Sequence, residues 1–234
     1  MLKRIQAEKA RLIKEKRIKK EKPLPPISEE EKPFELPEGW EWCRLGGFSN
    51  VGTGGTPLTS NKSYYENGDI PWVTSSVTGK LFAEEPERYI TKKALMETNC
   101  SLNPIGTLVI AMYGQGKTRG QITELNFEST TNQACATINP FLDYVELRRF
   151  VKLYFREIYL EIRKLAQGGA QPNLNMGKIK NTIIPIPPLE EQKAIVEKVE
   201  LVMAKCAVLE TEINQSEQYA QQLMRAVLKE GFEN

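Results

Sequence analysis

Residues 195–227, IVEKVELVMAKCAVLETEINQSEQYAQQLMRAV, decide how this chain is built. Small or apolar residues recur in alternating steps of four and three: Ile195, Val199, Val202, Cys206, Leu209, Ile213, Ser216, Ala220, Leu223 and Val227. A mean step of about 3.5 residues keeps one seam of a helix facing a partner helix over many turns, the signature of a coiled coil. At about 1.5 Å per residue the seam spans roughly 50 Å, more than is needed to cover one face of a small domain. Such a helix spaces two bodies apart or docks a partner. The rest of the chain is therefore expected to contain what is spaced.

Working outward, Leu189-Glu-Glu-Gln192 opens this helix with acidic residues at its N-terminal end, where the helix dipole favours them. Ile183-Ile-Pro-Ile-Pro-Pro188 before it cannot be helical and is expected to run extended. Between Val145 and Ala166 apolar residues fall near helical spacing, and Gly168-Gly169 supplies a C-terminal stop. Strands are expected at Trp40–Arg44, Trp72–Thr74, Leu108–Tyr113 and Cys135–Ile138, short apolar runs set between turn-forming clusters. Residues 2 to about 20 carry a partial apolar stripe among Lys, Arg and Glu, and Pro23-Leu-Pro-Pro26 stops that helix. The expectation is an α+β chain in four parts. They are an N-terminal helical segment at 1–22, a Pro/Glu-rich linker at 23–36, one mixed α/β domain at 37–188 and a coiled-coil helix at 189–230.

Composition narrows the chemistry. The chain has 234 residues, 40% of them hydrophobic, enough for one globular core plus extended helix. Its net charge of +2 is uneven, because residues 1–22 hold ten Lys/Arg against three Glu, which leaves the remainder acidic. A nucleic-acid reading must therefore rest on a local patch. Cys43, Cys100, Cys135 and Cys206 form no CxxC pair and the chain lacks histidine, so zinc sites, disulfide frameworks and His-based nucleophile pairs lose their support. No cofactor is expected. No apolar run reaches the length of a membrane span, and a reducing cytoplasm is the expected setting.

Ala111-Met-Tyr-Gly-Gln-Gly116-Lys117-Thr118 fits a relaxed phosphate-loop pattern, which would make the chain a nucleotide-binding enzyme. That pattern must feed a helix whose N-terminal amides hold phosphate, and Arg119-Gly-Gln-Ile-Thr123 contains no helix start. A glycine-rich loop between strands is the better reading. Even so, Tyr113, Gln115, Lys117, Arg119 and Gln121 are chemically able to reach phosphates and base edges. Two Asn/Gln-rich clusters, Ser129-Thr-Thr-Asn-Gln133 and Gln167–Asn175, suit adenine edges, although such residues more often serve turns.

The ordered set Lys22-Pro-Leu-Pro-Pro, Leu36-Pro-Glu-Gly-Trp40, Gly54-Gly-Thr-Pro57, Ile70-Pro-Trp72-Val, Thr131-Asn-Gln133-Ala, Gly168-Gly-Ala-Gln171-Pro-Asn-Leu174 and Ile184-Pro-Ile-Pro-Pro-Leu-Glu-Glu-Gln192 resembles the specificity subunit of type I restriction-modification systems. The resemblance covers nearly the whole chain. It implies a non-catalytic subunit in which two target-recognition domains are joined by two antiparallel coiled-coil helices, each domain reading half of a split duplex site. This chain holds one such domain and resembles the second half. The implied partners are double-stranded DNA, methyltransferase subunits and, through them, a restriction subunit. The expected DNA-facing residues are Lys62, Ser75, Tyr113, Gln115, Lys117, Arg119, Gln171 and Asn173. A homodimer through the helical seam is expected in isolation. The rival from another class is a coiled-coil scaffold whose globular part binds protein.

Overall fold

A computed structural model of the chain describes residues 1–114, 116–167 and 173–232. Seven α-helices are described: α1 Leu2–Lys14, α2 Leu45–Phe48, α3 Lys92–Glu97, α4 Val145–Glu157, α5 Tyr159–Gln167, α6 Met176–Asn181 and α7 Leu189–Phe232. The strands are β1 Glu41–Arg44, β2 Ser49–Thr53, β3 Ile70–Val73, β4 Phe82–Ala83, β5 Arg88–Ile90, β6 Leu108–Ala111, β7 Ile122–Leu125, β8 Thr130–Thr131, β9 Cys135–Pro140 and β10 Ile183–Ile186. The chain divides into two units, residues 1–192 and residues 193–234.

The first unit is mixed α and β. Five strands form the main sheet in the order β2-β9-β6-β7-β4, antiparallel except for the parallel β7–β4 edge. All four residues of β6 and of β7 are buried, as expected of central strands covered on both faces. Val73, Ala83, Val109, Leu125 and Cys135 make one apolar cluster on this sheet. A second sheet, β5-β3-β8, gathers Trp72, Ile90, Ala94 and Cys100 around itself. In the third, β1 pairs antiparallel with β10, placing Cys43 opposite Ile184. Helix α4 lies on the main sheet through a buried pair, Lys152 Nζ to Glu124 Oε2 at 2.6 Å, with the same ammonium 3.7 Å from the centre of the Phe82 ring. Paired and hydrogen-bonded, these two charges tolerate a site that would otherwise expel either one.

Each expected strand is present within a residue or two of its ends. The helices differ more. Helix α1 stops at Lys14, short of residue 20, because Lys16 adopts φ 57°, a left-handed conformation that ends the ladder. The single helix expected over 145–166 is two, α4 and α5, separated at Ile158, whose ψ of 19° takes the backbone off the helical path. The expected stop at Gly168-Gly169 lies outside the described residues.

Helix α1 and the proline-rich segment after it both pack within the first unit. Ile5 is buried, Lys9 Nζ donates to Gly46 O at 3.1 Å, and the same ammonium sits over the Phe141 ring. Residues 23–36 are held by Arg44. Its guanidinium donates to Pro25 O (2.7 Å), Pro26 O (3.0 Å), Asn181 O (2.9 Å) and both carboxylate oxygens of Glu31. The second unit consists of helix α7 from Lys193 onward. Ile195 and Val199 are half-buried, and every residue from Leu201 to Lys229 is exposed.

Candidate nucleic-acid interface

The segments Gly54-Gly-Thr-Pro57 and Thr131-Asn-Gln133, far apart in sequence, lie against each other. A methyl group on Gly54 would stand 1.7 Å from Thr131 O, so only glycine allows the approach. Across it, Gly55 N donates to Thr131 O (2.9 Å) and Thr56 Oγ1 to Gln133 Oε1 (2.6 Å). Trp72 Nε1 donates to Gly55 O (3.0 Å), and Asn132 N to Val73 O (3.0 Å). The glycine loop, the Asn/Gln loop and the end of β3 are thereby fixed together.

Beside them runs the connection from β6 to β7. The ladder continues past the strand ends, with Ala111 N donating to Gln121 O (3.0 Å) and Gly120 N to Ala111 O (2.9 Å). Met112 N donates to Ala134 O (2.8 Å), and Leu174 N to Met112 O (3.2 Å), which brings the residue 173–174 backbone to the same corner. Because Gly116-Lys117-Thr118 joins two antiparallel strands, no helix N-terminus follows it. The nucleotide-loop reading thus fails on geometry.

Helix α5 anchors this loop. Tyr159 donates its hydroxyl hydrogen to Lys117 O, while Arg163 Nη1 donates to Gly116 O (2.8 Å), Arg119 O (3.4 Å) and Tyr159 Oη (2.9 Å). Arg119 is half-buried, and its Nε and Nη1 are shielded from solvent without a hydrogen bond among the described residues. The solvent-exposed cation of this loop is Lys117.

Of the expected site residues, Tyr113, Lys117 and Arg119 lie on this one connection, with Tyr113 and Lys117 exposed. Asn173 adjoins it, half-buried, its carbonyl accepting from Lys178 Nζ at 3.3 Å. Ser75 opens the turn Ser75–Gly79; Thr78 and Gly79 of that turn line a cleft of about 220 Å³ with Lys117, Gln121, Arg156 and Tyr159. Lys62 is exposed on a different cleft, among Tyr65, Arg88 and Tyr89, and is not grouped with the others. Gln115 and Gln171 lie outside the described residues. Sequence reasoning did not find Tyr159, Arg163 or Arg156. The four-residue spacing of Tyr159 and Arg163 puts both on one helix face, but only the fold says which loop that face meets.

Chemically, the corner offers cations, amides and hydroxyls. Burial pushes the thiols of Cys43 and Cys135 up to about 12, which keeps them protonated and unreactive near neutral pH. The family model described as Type I restriction modification DNA specificity domain matches residues 37–218. The chain belongs to this family. Among curated members it is similar to two specificity subunits of Escherichia coli type I restriction enzymes. It is 30% identical to that of EcoAI over 231 residues (93% of this chain, 37% of the relative) and 27% identical to that of EcoEI over 227 residues (93% and 38%). The chain thus spans about two fifths of the length of these relatives. Among solved structures, the HsdS subunit of Thermoanaerobacter tengcongensis shares the fold with a TM-score of 0.58 at 22% identity, over 76% of this chain and 40% of that one. The DNA specificity domain match includes both the converging loops and the first part of the helical seam.

Proposed function

We propose that this chain is a sequence-specific DNA-recognition subunit that reads one half of a split duplex site and positions methyltransferase subunits, and through them a restriction subunit, upon it. It carries out no bond-making step of its own. The observation that carries the reading is the convergence, inside a DNA specificity domain, of the Gly54–Pro57, Thr131–Gln133 and β6–β7 loops at one corner beside the exposed Lys117. Lys117 and Arg119 set register on phosphates, while Ser75, Tyr113 and Asn173 approach the groove, with Gln115 and Gln171 as further candidate contacts and Lys62 contributing from its separate cleft. The exposed seam of α7 supports pairing of two copies in isolation, and two copies related by a twofold axis would read an inverted repeat. Among the described residues no helix is long and apolar enough to cross a membrane, and together with the free buried thiols this supports a cytoplasmic setting.

The test is methylation mapping in a host carrying this gene with type I methyltransferase subunits. A reproducible bipartite site that disappears with Arg119→Ala is expected. Unchanged methylation in a host lacking this gene would overturn the reading.

A further inference from the structure

The β6–β7 connection is rich in left-handed glycines: Gly114, Gly116 and Gly120 have φ of +149°, +58° and +86°. A loop of that composition samples many conformations when free, and ordering it upon DNA would cost affinity and blur selectivity. Helix α5 supplies a restraint from inside. Within four consecutive residues, the carbonyls of Gly116, Lys117 and Arg119 are all engaged by Tyr159 or Arg163. The two anchors are themselves joined, since Tyr159 Oη accepts from Arg163 Nη1 while donating to Lys117 O, with the guanidinium 5.4 Å from the ring centre. Gly120 seats against the same face, where an added methyl would lie 3.4–3.6 Å from Ile162, Arg163 and Tyr159. With its carbonyls held inward, the loop is left to present the exposed side chain of Lys117.

We infer that Tyr159 and Arg163 are positioning residues for DNA reading: they buckle the β6–β7 loop into its reading conformation before DNA arrives, and target discrimination depends on them although neither has to touch DNA. This rests on the reading that the loop faces DNA. Because the hydroxyl is shared, losing either partner weakens the bonds of the other, and paired substitutions are less than additive. The buckle acts on selectivity and not on bulk charge. Variants that preserve charge should leave the salt dependence of binding intact.

The experiment uses the full chain with Tyr159→Phe, which removes one hydroxyl, and Arg163→Lys, which keeps the charge but loses the planar fork. Amide hydrogen exchange is followed at Gly120 and Gln121, whose N–H groups bond Ala111 O and Thr118 O. Both variants are expected to exchange there roughly tenfold faster, as loss of a strong hydrogen bond allows, while the β6–β9 ladder exchanges as before. With methyltransferase subunits added, the affinity ratio between duplexes carrying the mapped half-site and a scrambled one should fall by roughly tenfold, at an unchanged salt slope. Unaltered exchange in both variants overturns the buckle. Faster exchange with the affinity ratio intact overturns its role in recognition. Lys117→Ala and Arg119→Ala provide the separate arm: if neither changes duplex affinity or its salt slope, the DNA-facing reading itself fails, and the exchange data still show whether the restraint exists.

Discussion

At Gly54 the backbone passes so close to Thr131 that a single methyl group has nowhere to go. The obstacle is a carbonyl, 1.7 Å from the added carbon, and that carbonyl already accepts from Gly55 N, so it cannot swing aside without breaking the bond between two loops. Gly54→Ala should therefore cost about 2–3 kcal/mol, the range of overpacked core substitutions. For a body of this size that is a fall in melting temperature of roughly 4–12 °C. Urea unfolding at 25 °C checks it, and a loss smaller than about 0.5 kcal/mol, the scatter of neutral surface changes, would mean that the two loops part easily.

Among the elements, the segment 23–36 shows best what sequence patterning hides. Its prolines and glutamates announce an irregular tether, and that much is legible. Its attachment is not, because a lone arginine at the end of a strand looks like any solvated charge until the fold brings three carbonyls and a carboxylate around it. The same holds at α5, where Tyr159 and Arg163 read as ordinary helix surface. The strand runs were legible because β-branched and aromatic residues stand between turn formers. The order β2-β9-β6-β7-β4 was not, since pairing across so many residues leaves no local trace. Arg44 and Glu31 also make the tether sensitive to acid. The backbone N–H of Ser28, and then the Arg44 guanidinium, hold the Glu31 carboxyl below the ordinary carboxylate range. A folded value below the unfolded one means that the docking contribution is complete above the ordinary range and is lost as pH falls through the folded value. Limited proteolysis within residues 23–36 should accordingly increase under acid conditions. Arg44→Ala should expose the segment at neutral pH, reduce that pH dependence to the part set by the Ser28 N–H, and cost about 2–4 kcal/mol through its stranded acceptors. Equal cleavage of both proteins at neutral pH would show that the tether is held by other contacts.

For the whole molecule the decisive quantity is apolar surface left in water along α7. Val202, Leu209, Ile213, Leu223 and Val227 are 46%, 56%, 58%, 68% and 59% exposed, on one seam of a helix that continues to Phe232. A row of that length is an association surface, and the heptad spacing suits another helix better than an irregular partner. Two copies pairing antiparallel would cover both seams, with Ser216 and Cys206 as the polar and small positions that fix register. Cys206 also reports the event, being the exposed thiol, whereas Cys43, Cys100 and Cys135 are buried. The full chain should therefore sediment as a dimer at concentrations on the order of tens of micromolar, dissociate on dilution, and have its Cys206 alkylated slowly while paired. Leu209→Asp places a charge in the seam, and should yield a monomer whose Cys206 reacts several-fold faster, roughly as the free thiol. A wild-type chain that is already monomeric under these conditions, with Cys206 as reactive as in Leu209→Asp, would show that the seam does not pair two copies of this chain.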